Sequence, residues 1–162
     1  MADKQLVGVG GWLALFAFGT GVIAPLRVAR DLTGLMEGDN QAAAAQFGAL
    51  WTFLLAAEWV ISLLTIATCW FMVWRLYNLE RWSTVRIVIA GIWSIGLGRS
   101  LIEIWLWSLV LDTSVIVEEL GPIVGLGVAY GLIWTAYFLR SRRVANTYRR
   151  DVGDEQVGDT FA

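Results

Sequence analysis

The sequence predicts an all-α, polytopic membrane protein: a four-transmembrane-helix bundle with both termini on the cytoplasmic side. Three observations predict it. Hydrophobic residues make up 57% of the 162 residues, with a mean hydropathy of +0.63, whereas ordinary soluble domains are roughly 45–50% apolar. The apolar residues fall into four runs, each close to or above the roughly 20 residues that carry a helix across about 30 Å of hydrocarbon. The basic residues concentrate on alternate connections, as the positive-inside rule requires of a chain threaded back and forth.

The helices are expected at about 5–28, 44–75, 86–111 and 122–141, within a single domain spanning 1–150. The first apolar run, Gln5 to Leu26, carries no charge, and its Gly8, Gly10 and Gly11 are tolerable because glycine is common in membrane helices. It is too long for the apolar core of a cleaved signal peptide, so it is read as a span. The second, Phe47 to Trp74, is broken only by Glu58. Asp39 and Asn40 are suited to cap a helix start, and the alanine-rich Gln41–Gln46 favours helix, so this helix is expected to begin outside the hydrocarbon. The third contains Arg99 and Glu103, and the fourth opens at Pro122, a residue that fits a first helical turn. The polar stretch 151–162 reads as a disordered cytoplasmic tail.

Orientation follows from lysine and arginine. With the N-terminus inside, the cytoplasmic segments hold Lys4, Arg75, Arg81, Arg86, Arg140, Arg142, Arg143, Arg149 and Arg150, nine in all, against Arg27 and Arg30 on the other side. The last outer loop, Asp112–Gly121, carries only acidic charge. Of the ten Trp residues, Trp51, Trp105 and Trp107 fall near one interface and Trp70, Trp74 and Trp82 near the other, as in an aromatic belt.

Composition also excludes chemistry. The net charge of −2 argues against a nucleic-acid partner. No His is present and Cys69 is alone, so no metal site or cofactor is expected, and no nucleophile motif appears on any loop. The chain is therefore not read as an enzyme.

The candidate site is an intramembrane polar cluster of Glu58, Arg99 and Glu103. A charge at the bilayer centre costs about 2.5–3.5 kcal/mol on insertion scales, so such residues face inward and pair. Helices two and three run in opposite directions, which brings Glu58 and Glu103 to similar depth. Arg99 stands on the face of Glu103 at i, i+4 spacing. Ser62 and Thr65 continue the polar face of Glu58 together with Cys69, and Tyr130 on helix four could add a hydroxyl to the network. Two readings stand side by side: a proton- or ion-linked site, since two carboxylates beside one arginine need not both ionise, or a structural pair that fixes helix rotation.

Gly121-x-x-x-Gly125 and Gly127-x-x-x-Gly131 on helix four, with Ser94-x-x-x-Gly98 on helix three, let helix backbones approach closely, within the bundle or between copies. Arg140, Arg142 and Arg143 form a basic cluster at the end of helix four, expected to anchor topology at the lipid headgroups.

Two segments carry a family resemblance. Gly10-Gly-Trp-Leu-Ala-Leu-Phe followed by Pro25-Leu26, and the closing Ile133-Trp-Thr-Ala-Tyr-Phe-Leu-Arg-Ser-Arg-Arg-Val-Ala-Asn-Thr-Tyr148, resemble the two ends of a bacterial family of small integral membrane proteins, domain of unknown function 2569. Glu58 and Arg99 fall where that family has an intramembrane Glu and Arg. The resemblance covers roughly 8–148 and implies four spans in a bacterial inner membrane; it brings no activity with it. One departure is Thr135-Ala136, where the family has a bulkier or proline-containing pair.

The expected function is that of a non-enzymatic accessory or interaction subunit of the inner membrane. The alternative is a small oligomeric transporter or channel with Glu58, Arg99 and Glu103 on its path. The expected partners are the lipid bilayer and either a second copy or a larger membrane complex.

Overall fold

The computed structural model describes residues 7–37 and 40–148, and it is helical throughout, with no strand among the described residues. The expected tail and Lys4, Asp39, Arg149 and Arg150 lie outside them. In chain order the elements are α1 (Trp12–Phe18), a π-helical turn (Gly19–Ile23), α2 (Ala24–Glu37), α3 (Asn40–Phe47) and α4 (Ala49–Asn78). Then follow α5 (Trp82–Trp93), a second π-helical turn (Ser94–Gly98), α6 (Arg99–Trp107), α7 (Thr113–Arg140) and α8 (Arg142–Thr147). Four helices are long and apolar enough to cross a membrane: Trp12–Leu35, Ala49–Asn78, Trp82–Trp107 and Leu120–Arg140.

Three boundaries differ from the sequence reading, each for a local reason. The first span starts at Trp12 rather than near residue 5, because Gly8 and Gly11 take positive φ (84° and 57°), which L-residues with a side chain rarely adopt. The alanine-rich segment is a separate helix, α3, because Gly48 turns the chain at φ 58° before α4 begins. Asn40 acts through its side chain: Nδ2 donates to the Leu35 carbonyl, and Oδ1 accepts from Trp51 Nε1. The acidic connection before Pro122 is not a loop. From Thr113 it is the first part of α7, so Pro122 lies inside a helix rather than at its start.

Each helix in sequence packs on the next, and Phe16 closes the ring against the last span, with Trp134 at 4.7 Å and Phe138 edge-on at 5.1 Å. The polarity of the fold is inverted relative to a soluble protein. Leu126 is 73% exposed, and Trp12 and Ile133 are each 66% exposed, while Glu58, Ser62, Thr65, Thr20 and Ser100 are buried. Apolar outside and polar inside is the pattern a lipid solvent selects, since lipid satisfies the first group and offers the second no hydrogen bonds. With the apolar helix faces, it defines a multi-pass membrane protein.

The interior divides along its length. Toward the end where α8 sits, here the terminal end, Leu13, Phe16, Met72, Leu76, Val85, Val88, Ile92, Phe138, Val144 and Tyr148 form one apolar core. Toward the opposite, distal end, where α2, α3 and α6 finish, the buried residues include the polar seam.

The two segments that carry the family resemblance meet at the terminal end. The Gly8 N–H donates to Thr147 Oγ1 at 2.9 Å, and the Tyr148 hydroxyl donates to the Leu76 carbonyl at 2.7 Å. A Cβ at position 10 would fall 2.5 Å from Arg143 Nη1, so the glycine leaves room for that guanidinium to lie against the N-terminal turn. Arg143 is thus a packing residue as well as a charge, while Arg140 and Arg142 are exposed. Burial, followed by the charge of Glu80, pushes the Tyr148 phenol well above its ordinary pKa, so it remains a neutral donor.

Pro25 shows how the first span tolerates an imino acid. A residue with an N–H at position 25 would donate to the Gly21 carbonyl four residues back; proline cannot. The Trp70 indole from α4 donates to Gly21 O instead, at 3.1 Å.

Candidate functional site

Glu58 is nine residues into α4, and Glu103 and Arg99 stand one helical turn apart on α6. Arg99 bridges the two carboxylates. Its Nη2 donates to Glu58 Oε1 at 3.0 Å, and its Nε donates to Glu103 Oε1 at 2.5 Å. The three side chains are 18%, 10% and 14% exposed for Arg99, Glu58 and Glu103. Trp51 and Trp107 mark the distal level of the same helices, and seven residues of α4 from Trp51 to Glu58 place the triad about 10 Å below them at 1.5 Å per residue.

The π-helical turn immediately before Arg99 sets this geometry. One extra residue in a helical turn rotates everything after it by roughly 100°. In an unbroken α-helix Arg99 would continue the line of Val88 and Ile92 into the apolar core. With the wide turn, Ser100 takes that line and is buried, and Arg99 swings round toward α4. Ser100 spends its hydroxyl on the Gly96 carbonyl. The same turn lets two span backbones approach closely: a Cβ at Gly127 would lie 2.9 Å from the Gly96 carbonyl oxygen.

The supporting residues are distributed as follows. Ser62 approaches Glu58 Oε1 at 3.5 Å, and Thr65 Oγ1 donates to its own helix at the Ile61 carbonyl, leaving it one turn further down the seam. Tyr130 does not join the triad; its hydroxyl lies near Thr20, on the first π-helical turn. Gly127 and Gly131 pack inside, on Gly96 and the Trp93 ring, whereas a Cβ at Gly121 or Gly125 would meet nothing within 4 Å. The small-residue partner on the third span is Gly96, not the Ser94–Gly98 pair. Thr135, where the sequence departs from the family pattern, accepts from Trp93 Nε1 at 3.1 Å.

A cavity of about 530 Å³ opens onto the triad between the distal ends of α2 and α6. Arg30, Asp31, Gly34, Leu35, Glu58, Glu103 and Trp107 line it. Arg30, Asp31 and Trp107 are the site residues sequence reasoning missed. The first two count in the sequence only as loop charges, yet α2 runs on to Glu37 and carries them down onto the site. Trp107 counts as a belt residue, yet it turns inward and meets Trp51 edge-on at 5.8 Å, while Trp105 remains 62% exposed.

Both arginine bonds go to the Oε1 atoms. Neither Glu58 Oε2 nor Glu103 Oε2 has a protein partner, and neither is sealed from solvent, for the only buried side-chain polar atom without a partner among the described residues is Arg75 Nε. Both glutamates line the cavity, so these free oxygens are accessible from it. Among the described residues no group of three His, Cys, Asp or Glu side chains is placed to hold a metal ion.

The fold and this site define the class: a multi-pass α-helical membrane protein with an ion-paired triad held between two of its spans. The model of the family described as "Protein of unknown function (DUF2569)" matches residues 6–149, and the chain belongs to that family. Comparison with curated proteins and with solved structures gave no match.

Proposed function

We propose that this is a small, non-enzymatic protein of the bacterial inner membrane, with both termini cytoplasmic, that binds a cation or a proton at Glu58, Arg99 and Glu103 from the non-cytoplasmic side. The observation that carries this reading is the pair of unpartnered carboxylate oxygens at the cavity wall. With both glutamates ionised the triad holds one net negative charge, which a single cation or proton neutralises. Among the described residues an apolar core fills the terminal end, while the triad faces the distal groove. That supports a carrier or sensor that must rearrange to pass anything on, rather than a standing pore.

The test is flux and binding in proteoliposomes of purified protein, comparing wild type with Glu58→Gln and Arg99→Ala. A loss of proton- or cation-linked signal by tenfold or more in Glu58→Gln supports the reading. Unchanged signal in both variants overturns it.

A second reading, an accessory subunit of a larger membrane complex or of a homo-oligomer, is favoured by a separate observation. The last span is 11% buried, the least of the four, and Gly121 and Gly125 lie open on it. Affinity purification from native membranes tests it: a stable partner lost on Gly125→Leu supports it, and a chain that purifies alone in one copy counts against it.

A further inference from the structure

Resting on the cation-site reading, the structure points to a more specific ligand: we propose that the distal cavity takes a zwitterion, its ammonium on Glu58 and Glu103 and its anionic end on Arg30. Size comes first. The groove is wide open, and its volume of about 530 Å³ leaves room for a small molecule, whose pockets run from about 300 to 1,000 Å³. A single water or bare ion needs only about 30 Å³.

The donor set points the same way. Calcium asks for six to eight oxygen ligands, and magnesium for an octahedron of them. The two glutamates offer one free oxygen each, Asp31 adds an exposed carboxylate beside Arg30, and the rest of the lining is Leu35, Gly34 and the Trp107 indole, too few oxygens for either shell. Carboxylates beside an aromatic wall suit an alkylammonium group, which makes a few charge-assisted hydrogen bonds and lays its C–H surface against a ring. Trp107 is held in place by its neighbours. Its edge contact with Trp51 is braced in turn by the Trp51 bond to Asn40 and by Phe47 stacked at 6.3 Å.

Arg30 decides between a simple amine and a zwitterion. It lines the same cavity and makes no ion pair with a described residue. A guanidinium at the mouth repels a plain cation, and it matches a phosphate or carboxylate in a two-pronged geometry. An acidic floor, with the Arg30 guanidinium at the rim beside Asp31, thus fits a molecule with an ammonium at one end and an anion at the other. Two sources supply that chemistry: the headgroup of phosphatidylethanolamine, or a free small zwitterion.

The experiment is calorimetry on the full chain in dodecylmaltoside, with O-phosphoethanolamine and γ-aminobutyrate as zwitterions, ethanolamine as the cation alone and inorganic phosphate as the anion alone. Native mass spectrometry then follows retention of phosphatidylethanolamine against phosphatidylglycerol. At least one zwitterion should bind tenfold or more tightly than ethanolamine or phosphate. Arg30→Gln, at an exposed position that leaves the helix contacts intact, should remove that advantage, and Glu103→Gln should weaken the zwitterion and ethanolamine alike. Selective retention of phosphatidylethanolamine assigns the headgroup; binding of a free zwitterion with no lipid selectivity assigns a soluble ligand. Ethanolamine binding as tightly as either zwitterion, with Arg30→Gln unchanged, overturns this proposal and leaves the cation site standing. Binding of none of the probes, together with flux unaffected by Glu58→Gln, overturns both, and phosphate binding as tightly as the zwitterions overturns the assignment of charge.

Discussion

Replacing Arg99 with methionine keeps the apolar stem and removes the charge, leaving two carboxylates facing each other at membrane depth. Removing one partner of a buried ion pair costs about 3–5 kcal/mol, because the remaining charge keeps its desolvation penalty without its compensation. Here the loss strands two glutamates at 10% and 14% exposure, so the upper part of that range is expected. The neutral triple variant Glu58→Gln, Arg99→Met, Glu103→Gln should recover most of it and lie within about 2 kcal/mol of wild type, as neutral replacements of buried pairs generally do. The single carboxylate variants should not be equal. The Arg99–Glu103 pair is within one helix and survives when the inserted helices separate, whereas Arg99–Glu58 joins two spans and exists only in the packed state. Glu58→Gln should therefore cost about 1.5–3 kcal/mol, as a charge-assisted bond does, and Glu103→Gln clearly less. Reversible unfolding in mixed micelles, read by tryptophan fluorescence, measures all five proteins. Added salt should not flatten the differences, since buried pairs are weakly screened. An Arg99→Met protein no less stable than the triple variant, or a Glu103→Gln cost equal to that of Glu58→Gln, would refute this account of the triad.

Three further outcomes are expected from packing. Gly127→Ala forces a Cβ against the Gly96 backbone at 2.9 Å and should cost about 1–3 kcal/mol, while Gly125→Ala meets nothing within 4 Å and should be neutral or slightly stabilising; the same unfolding assay compares them. Tyr148→Phe removes the donor to the Leu76 carbonyl and should cost about 1–2 kcal/mol near neutral pH. Because the folded phenol titrates above its ordinary value of 10.0, its contribution is fully present below that pH and is lost as pH rises beyond it. Wild type should thus approach Tyr148→Phe in stability at alkaline pH, and a gap that stays constant to pH 11 would refute the assignment. Trp70→Phe leaves the Gly21 carbonyl beside Pro25 without its indole donor and should cost about 1 kcal/mol, whereas Trp74→Phe, at an exposed ring with no indole hydrogen bond to a described residue, should not; amide exchange at the first π-helical turn reports the difference.

Four membrane-length apolar helices are legible in the sequence because span length and composition are one-dimensional properties. The ion triad is legible for a related reason. A charge in an apolar run must pair, and opposite chain directions with i, i+4 spacing leave Arg99 little choice but Glu103 and Glu58. The ends of the helices are less legible. Gly11 and Gly48 stop helices by taking positive φ, and composition alone does not distinguish that use from the glycines that pack inside a membrane helix. The two π-helical turns leave no mark in hydropathy, yet one of them aims Arg99. Nor does spacing separate Gly127, which meets Gly96, from Gly121 and Gly125, which meet nothing.

What the sequence by itself determined is how much of the chain must lie in lipid and which charges must find partners there, because both follow from the cost of leaving a group in the wrong solvent. Only the tertiary structure decided what else reaches the triad. The rotation of each helix brings Arg30, Asp31 and Trp107 around Glu58 and Glu103, and it leaves one oxygen of each carboxylate unbound at the wall of a cavity. That rotation depends on single-residue insertions and on contacts between residues far apart in the chain, which local pattern does not encode.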